Sequence, residues 1–119
     1  MKQKTYFKMH KRICKEARKL SKAKNDDYAD PTRYPDDPLA IFRNFLQCEN
    51  QGICSVEKGF LVRLSDKSSR LCNILQEGKK ISVKDEKIED TVKDEINYLI
   101  LLLAYINTKE KMLKKKRKK

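Results

Sequence analysis

The chain has 119 residues, 39% of them charged, and it contains only 3 glycines and 3 prolines. A chain of this length forms one domain with a modest core, and so few glycines and prolines argue against a fold rich in strands and tight turns. We therefore predict an all-α fold: a single-domain four-helix bundle over residues 1–108, with a long ordered loop between helices 1 and 2. The basic tail, 109–119, is predicted to be disordered or loosely helical.

The net charge of +12 is concentrated at the two ends of the chain. Residues 1–24 carry 10 basic and 1 acidic side chains, and residues 109–119 carry 8 basic and 1 acidic. The residues between these two segments carry 11 basic and 15 acidic side chains. Basic ends attract phosphates without reading a base sequence. Nonspecific contact with nucleic acid through these ends is therefore one expectation.

The cysteines and the apolar segments exclude two classes of protein. The 4 cysteines include no C-x-x-C pair and there is 1 histidine, which is the wrong set for a structural zinc site. The basic N-terminus is not followed by an apolar signal region, and no apolar run reaches the ~20 residues that span a bilayer. We expect a soluble, cytoplasmic protein with no membrane partner.

The first half of the chain contains two predicted helices. Helix 1 is predicted from about Thr5 to Ala23, because apolar residues recur there every 3 or 4 positions. A loop over 25–37 follows, since prolines and aspartates exclude a continuous helix there. Helix 2 is predicted from Asp37 as N-cap and Pro38 as first helical residue to about Glu49.

Helix 3 is predicted to begin at Ser55 or just after Gly59 and to run to Glu77, ahead of Gly78. Beside its apolar face, a polar stripe repeats at helical spacing and comprises Arg63, Asp66, Arg70 and Asn73, with Lys67 at its edge. Such a stripe forms either surface ion pairs of small energy or a site for an anion.

Helix 4 is predicted over 85–107, acidic in its first half and apolar in its second. Apolar residues fall on nearly all sides of the second half, so we expect burial on nearly all sides. The surplus apolar residues Leu101, Ala104 and Tyr105 pack either inside the bundle or against a second copy, and we favour a homodimer.

The carboxylates of helix 4 form the second polar stripe. Glu86, Asp90 and Asp94 are four residues apart and stack on one face, where like charges repel. Mg²⁺ bound by carboxylates and by the phosphates of a ligand would relieve that repulsion. The alternative is direct salt bridging between helices 3 and 4 with no ligand.

Four ordered segments of the sequence resemble a known family. They are Lys24–Tyr28 (KNDDY), Asn44–Phe45 (NF), Arg63–Leu71 (RLSDKSSRL) and Asp85–Asp94 (DEKIEDTVKD). Together they are similar to the phage and prophage family called nucleotide modification associated domain, type 1, over about residues 22–106. The chain departs from the family pattern at Ala29, Lys87 and Glu95, where glycine, serine and an apolar residue are usual.

The resemblance implies a phage-type nucleotide-binding protein associated with nucleotide or modified-base metabolism, located in the host cell cytoplasm. It implies a nucleotide site whose residues are Lys24, Asn25, Asp27, Tyr28, Asn44, Arg63, Asp66, Lys67 and Arg70. Together with the stacked carboxylates of helix 4, it favours Mg²⁺ as a cofactor, with metal ligands among Glu86, Glu89, Asp90 and Asp94.

Three functions remain open at this point. The first is a nucleotide-binding protein that acts as a Mg²⁺-dependent phosphohydrolase. The helical arrangement with an acidic last helix is similar in style to MazG-like NTP pyrophosphohydrolases, which hold Mg²⁺ with carboxylates from two helices. Here helices 1 and 2 supply no second pair of acidic residues. The second is a noncatalytic sponge that sequesters a nucleotide signal of host defence, and the third is a DNA-associated accessory protein.

Overall fold

Three long helices and a short linking segment make up the part of the chain that the computed structural model describes, residues 1–76 and 86–118 without the side chains of Glu86 and Lys87. The α-helices are α1 Gln3–Tyr28, α2 Gln47–Asn50, α3 Val56–Ile74 and α4 Glu86–Arg117, and 3-10 helices occupy Pro31–Arg33 and Ala40–Phe45. No strand occurs among the described residues, which confirms the predicted all-α class.

The ion pairs between helices define their directions. Glu57 near the start of α3 pairs with Lys109 late in α4, and Lys67 farther along α3 pairs with Asp94, so α3 and α4 are antiparallel. Arg12 of α1 pairs with Glu89 of α4, and Lys24, later in α1, pairs with Asp94, later in α4. The order of the pairs is the same in both helices, so α1 and α4 run parallel. None of the described helices carries an apolar stretch long enough to cross a membrane.

α1 continues to Tyr28, so the prediction that it ends near Ala23 and that the loop begins at Asn25 is wrong. No proline interrupts residues 24–28, and the Asn25 carbonyl accepts hydrogen bonds from the amides of Ala29 and Asp30, which close the last turn. Asp30 then adopts a left-handed conformation with φ of 45° just before Pro31, a conformation that aspartate tolerates better than most residues.

The predicted helix 2 is also wrong as a single regular helix. The segment forms the 3-10 helix Ala40–Phe45 and then the four-residue α2. Of the four predicted helices, only the first, third and fourth are therefore long α-helices among the described residues. Asp37 does bind the start of the segment, because its Oδ1 accepts a hydrogen bond of 2.9 Å from the Leu39 amide. The loop before it is ordered by Arg43, whose guanidinium lies 3.4 Å from the centre of the Tyr34 ring.

α3 begins where one of the two predicted starts places it. Ser55 is its N-cap, and the Ser55 Oγ accepts a hydrogen bond of 3.2 Å from the Lys58 amide, which satisfies one of the free amides of the first turn. α3 ends at Ile74, and the predicted end at Glu77 and Gly78 lies outside the described residues.

α4 continues through the tail to Arg117, so the predicted end of helix 4 at 107 is wrong. Of the two predictions for the tail, disordered or loosely helical, the structure shows a helix. Residues 108–117 contain no glycine or proline and many lysines, which have good helix propensity and interact favourably with the negative C-terminal end of a helix.

The second half of α4 is buried on one side only, which corrects the expectation of burial on nearly all sides. Tyr105 is buried, and Leu101 and Ala104 are half-buried against the core. Leu99 and Leu103 are exposed to 54% and 58% of their surface. The difference arises because the other elements cover one side of α4 and leave the opposite side open.

The core lies where the linking segment meets α3 and α4. It comprises Phe42, Phe45, Val56, Phe60 and Tyr105. The rings of Phe45 and Phe60 stack with their centres 4.4 Å apart, and Phe42 meets the Tyr105 ring edge-on at 5.4 Å. Full burial of such side chains contributes roughly 1.5–3 kcal/mol each.

We predict that Phe42→Ala lowers the free energy of unfolding by about 3–5 kcal/mol, because the fully buried ring leaves a cavity between two elements. Chemical denaturation monitored by circular dichroism measures the change. Ile53→Ala is the matched control, because Ile53 is 71% exposed and its truncation should change stability by less than about 0.5 kcal/mol. Equal losses for the two variants would contradict this assignment of the core.

Candidate functional site

A cleft of about 350 Å³ lies between the C-terminal half of α1, the 3-10 helix Ala40–Phe45, α3 and α4. Six residues predicted for the nucleotide or metal site line it, namely Lys24, Asn25, Tyr28, Asn44, Arg63 and Asp94. The extension of α1 beyond Ala23 is what places Lys24, Asn25 and Tyr28 at the cleft. Residues from distant parts of the sequence thus meet at one site.

A second, more polar cavity of about 410 Å³ adjoins the cleft and is lined by Arg63, Asp66, Lys67, Arg70 and Tyr98. Arg63 and Tyr98 belong to both cavities, so the two lie side by side. Except for Asn73, the polar stripe predicted on helix 3 therefore lines a concave site, with three cationic side chains in it.

Asp94 links three helices at the floor of this site. Its Oδ1 accepts a hydrogen bond of 2.9 Å from Lys24 Nζ of α1, and its Oδ2 lies 3.0 Å from Lys67 Nζ of α3. The Asp94 side chain is only 13% exposed. Burial raises the pKa of this carboxyl, but the hydrogen bonds and charges of the two ammonium groups outweigh burial and hold its pKa below the ordinary value.

Arg63 lies at the junction of the two cavities and has no carboxylate partner among the described residues. Its guanidinium lies 4.3 Å from the centre of the Phe45 ring, and Nη2 donates a long hydrogen bond of 3.5 Å to the Asn44 carbonyl. The ring fixes one face of the guanidinium, while its edge borders both cavities. A half-buried guanidinium of this kind is suited to a planar or tetrahedral anion.

Two amide side chains at the cleft hold the fold together. Asn25 Nδ2 donates a hydrogen bond of 2.7 Å to the Ile41 carbonyl, and Asn97 Nδ2 donates one of 3.0 Å to the Ala17 carbonyl. Asn25 thus orders the linking segment. Tyr28 is 65% exposed at the rim, where its ring is accessible to a ligand.

Asp27, Glu89 and Asp90 line neither cavity. Asp27 and Asp90 are exposed on their helices. Glu89 accepts a hydrogen bond of 2.9 Å from Arg12 Nη2, and its other oxygen is 3.8 Å from Lys93 Nζ. The hydrogen bond and charge of Arg12 outweigh burial and lower the pKa of Glu89.

The described carboxylates do not fit a shared Mg²⁺ site. Glu89 lies on the α1 side of α4 and Asp94 at the floor of the cleft, each bound to cations of the protein, and no group of three or more His, Cys, Asp or Glu side chains converges in the described part of the chain. The side chain of Glu86 lies outside the described residues. The salt bridge between Lys67 and Asp94 agrees with the alternative of direct pairing between helices 3 and 4.

Five cleft residues were not predicted for the site: Ser21, Phe45, Asn97, Tyr98 and Leu101. The position of Asn97 could have indicated a buried polar contact, because a single amide inside an apolar run usually has a buried hydrogen-bond partner. Phe45 belongs to one of the four motifs, but an apolar residue in a motif is equally consistent with a place in the hydrophobic core and with a place in a ligand site. Ser21 and Leu101 carry no signal in the sequence.

Comparison of the chain with protein-family models, with curated proteins and with solved structures finds no match. The likeness to the nucleotide modification associated family therefore depends on the four motifs alone.

We predict that Asp94→Asn lowers the free energy of unfolding at neutral pH by about 1–2 kcal/mol, because it removes the shared acceptor of two lysines. The estimate is reduced because Lys24 is 44% exposed. The matched control is Asp90→Asn, an exposed carboxylate on the same helix, which should change stability by less than about 0.5 kcal/mol.

The contribution of Asp94 should depend on pH in a defined direction. Its folded-state pKa is depressed and that of Lys24 is raised. The stabilisation is thus fully present between about pH 4 and 10, the ordinary values of the two groups. It is lost as the pH falls through the folded pKa of Asp94. Denaturation curves at pH 7 and pH 3 should show a smaller difference in stability between wild type and Asp94→Asn at pH 3, and a constant difference would contradict the assignment.

Proposed function

We propose that the cleft and the adjoining cavity bind one nucleotide or nucleotide-derived small molecule. The observation that carries the proposal is the position of Arg63, a half-buried guanidinium between an aromatic, amide-containing cleft and a cavity with two further cations. Ligand sites of this size combine apolar walls with a few convergent polar groups.

The cationic cavity is suited to the phosphates. Lys67 and Arg70 lie with Arg63 along one wall, and guanidinium groups bind phosphate oxygens in pairs. Lys67 already shares Asp94 with Lys24, so this carboxylate holds the ammonium in place. The two arginines supply the charge that a phosphate needs.

The aromatic cleft is suited to the base. The accessible ring of Tyr28 and the ring of Tyr98 border it, and Leu101 contributes an apolar wall. Stacking of a base on an aromatic side chain contributes about 1–3 kcal/mol. The sequence resemblance to a nucleotide-associated family supports the same ligand class.

Binding without hydrolysis is the form of this function that the geometry supports best. Two described carboxylates line the site. Asp94 is engaged by two lysines of the protein, so it is poorly placed to bind Mg²⁺. Asp66 lies in the cavity with Arg63, Lys67 and Arg70, where the positive charge favours an anion over a metal cation. The protein thus fits a sponge that retains a nucleotide signal, and Mg²⁺-dependent phosphohydrolysis is the competing outcome of the experiment.

We predict that isothermal titration calorimetry against nucleosides, their mono-, di- and triphosphates, cyclic dinucleotides and pyrophosphate detects a phosphate-bearing ligand. Arg63→Gln should weaken its binding at least tenfold, because a charge-assisted hydrogen bond contributes about 1.5–3 kcal/mol. The matched control is Arg18→Gln, which removes one positive charge from an exposed position on α1 outside the cleft.

Titrations with and without Mg²⁺, followed by mass spectrometry of the ligand released by denaturation, distinguish binding without hydrolysis from Mg²⁺-dependent hydrolysis. Intact ligand supports sequestration, and a cleaved product supports hydrolysis. Absence of binding by every compound, or equal weakening by the two arginine variants, would overturn the proposed site.

The lysine-rich helices favour DNA association as a second candidate function. Residues 1–12 are all exposed, and α4 carries Lys114, Lys115, Lys116 and Arg117 in its last turn. These basic segments lie at opposite ends of the parallel pair formed by α1 and α4. Such surfaces bind phosphate backbones through release of counterions.

Removal of residues 109–119 should weaken binding to duplex DNA and reduce the dependence of log Kd on log salt concentration, because each phosphate contact adds roughly 0.9 to that slope. Fluorescence anisotropy at several salt concentrations measures both. Nucleotide binding in the cleft should be unchanged. An unchanged slope would show that the tail takes no part in DNA binding.

A further inference from the structure

One side of α4 carries an apolar seam with the spacing of a coiled coil. Val92, Ile96, Leu99, Leu103, Ile106 and Leu113 follow steps of 4, 3, 4, 3 and 7, and Glu110 occupies the one seam position between the last two. Alternating steps of three and four are the a and d positions of a heptad repeat. The seam thus covers about three heptads of the helix.

The seam is open where α4 is most apolar. Leu99, Leu103, Ile106 and Leu113 are all exposed, although each is a large aliphatic side chain. The buried residues of the same helix, Thr91, Asn97 and Tyr105, fall on its other side. α4 therefore has two distinct apolar faces, one covered by its own chain and one that is half-buried at Val92 and Ile96 and exposed from Leu99 onward.

The charges along α4 identify the occupant of this seam. Glu89 and Glu95 border the seam in its first half, whereas lysines from Lys109 onward occupy its last turns. A second α4 in antiparallel orientation brings each acidic half beside the basic half of its partner. A parallel second copy would set lysine against lysine. The helix is therefore complementary to itself in one orientation only.

We infer that α4 pairs with α4 of a second copy of this chain in an antiparallel, two-fold arrangement centred near Leu101. In this register Leu99 packs on the partner's Leu103 and Ile96 on the partner's Ile106, each twice because the interface is isologous. Lys109 then lies beside the partner's Glu95. Lys109 is available for this contact, since its side chain is 46% exposed beside Glu57.

The dimer leaves the candidate ligand site free. Asp94, Asn97, Tyr98 and Leu101 line the cleft, and these positions fall on the side of the helix opposite the seam. Disruption of the seam and disruption of the site are thus separable by mutation, and neither proposal depends on the other.

Sedimentation equilibrium at tens of micromolar should give the wild type twice the chain mass of 14.1 kDa, about 28 kDa. Leu103→Glu should reduce the mass to that of one chain, with the far-ultraviolet circular dichroism unchanged. The matched control is Ile53→Glu, which adds the same charge at an exposed apolar residue outside α4 and should remain dimeric. A monomeric wild type, or loss of dimer in both variants, would overturn the inference.

Cross-linking tests the orientation without a destabilising charge. In a background with the exposed Cys14 and Cys72 changed to serine, Ile100→Cys lies close to the two-fold axis and should be joined to its copy by a short bismaleimide. Leu113→Cys should not, because an antiparallel pair separates the two copies by about 36 Å at 1.5 Å per residue. The background protein alone is the control. Linkage through position 113, or none at 100, would contradict the antiparallel register.

Discussion

Asp94 connects α1, α3 and α4 through one carboxylate, and the candidate site depends on that connection. Lys24 of α1 and Lys67 of α3 approach its two oxygens. These two ion pairs hold α1 and α3 against α4 at the floor of the cleft. An unpaired carboxylate at 13% exposure would be costly. The two ammonium groups offset that cost and are themselves held in the wall of the site.

The hydrophobic core and the candidate site share a boundary at Phe45. One face of its ring stacks on Phe60, and the Arg63 guanidinium lies over the same ring. The position of the cation at the junction of the two cavities is therefore determined by packing. A guanidinium fixed in this way loses less conformational entropy when it binds an anion than a freely moving side chain would lose.

α4 serves two surfaces because its apolar residues exceed what one side of a helix can bury in a bundle of this size. Its inner side completes the core through Tyr105 and borders the cleft through Tyr98 and Asp94. Its outer side carries the heptad seam. This division explains why a helix whose second half is apolar nearly all around can nevertheless expose Leu99 and Leu103 to more than half of their surface.

The sequence by itself determined the helical class and the grouping of side chains along each helix, and it indicated Ser55 as one of two possible starts of α3, because propensity, capping and the 3.6-residue period are local properties. The end of α1, the irregular segment after Pro38 and the length of α4 required the structure, since they depend on contacts such as that of Asn25 with Ile41. Periodicity identifies residues that share a face but not the face of another helix that lies opposite. For that reason only the tertiary structure decided that Asp94 pairs with two lysines, that Glu89 pairs with Arg12, and that Arg63 stands between two cavities.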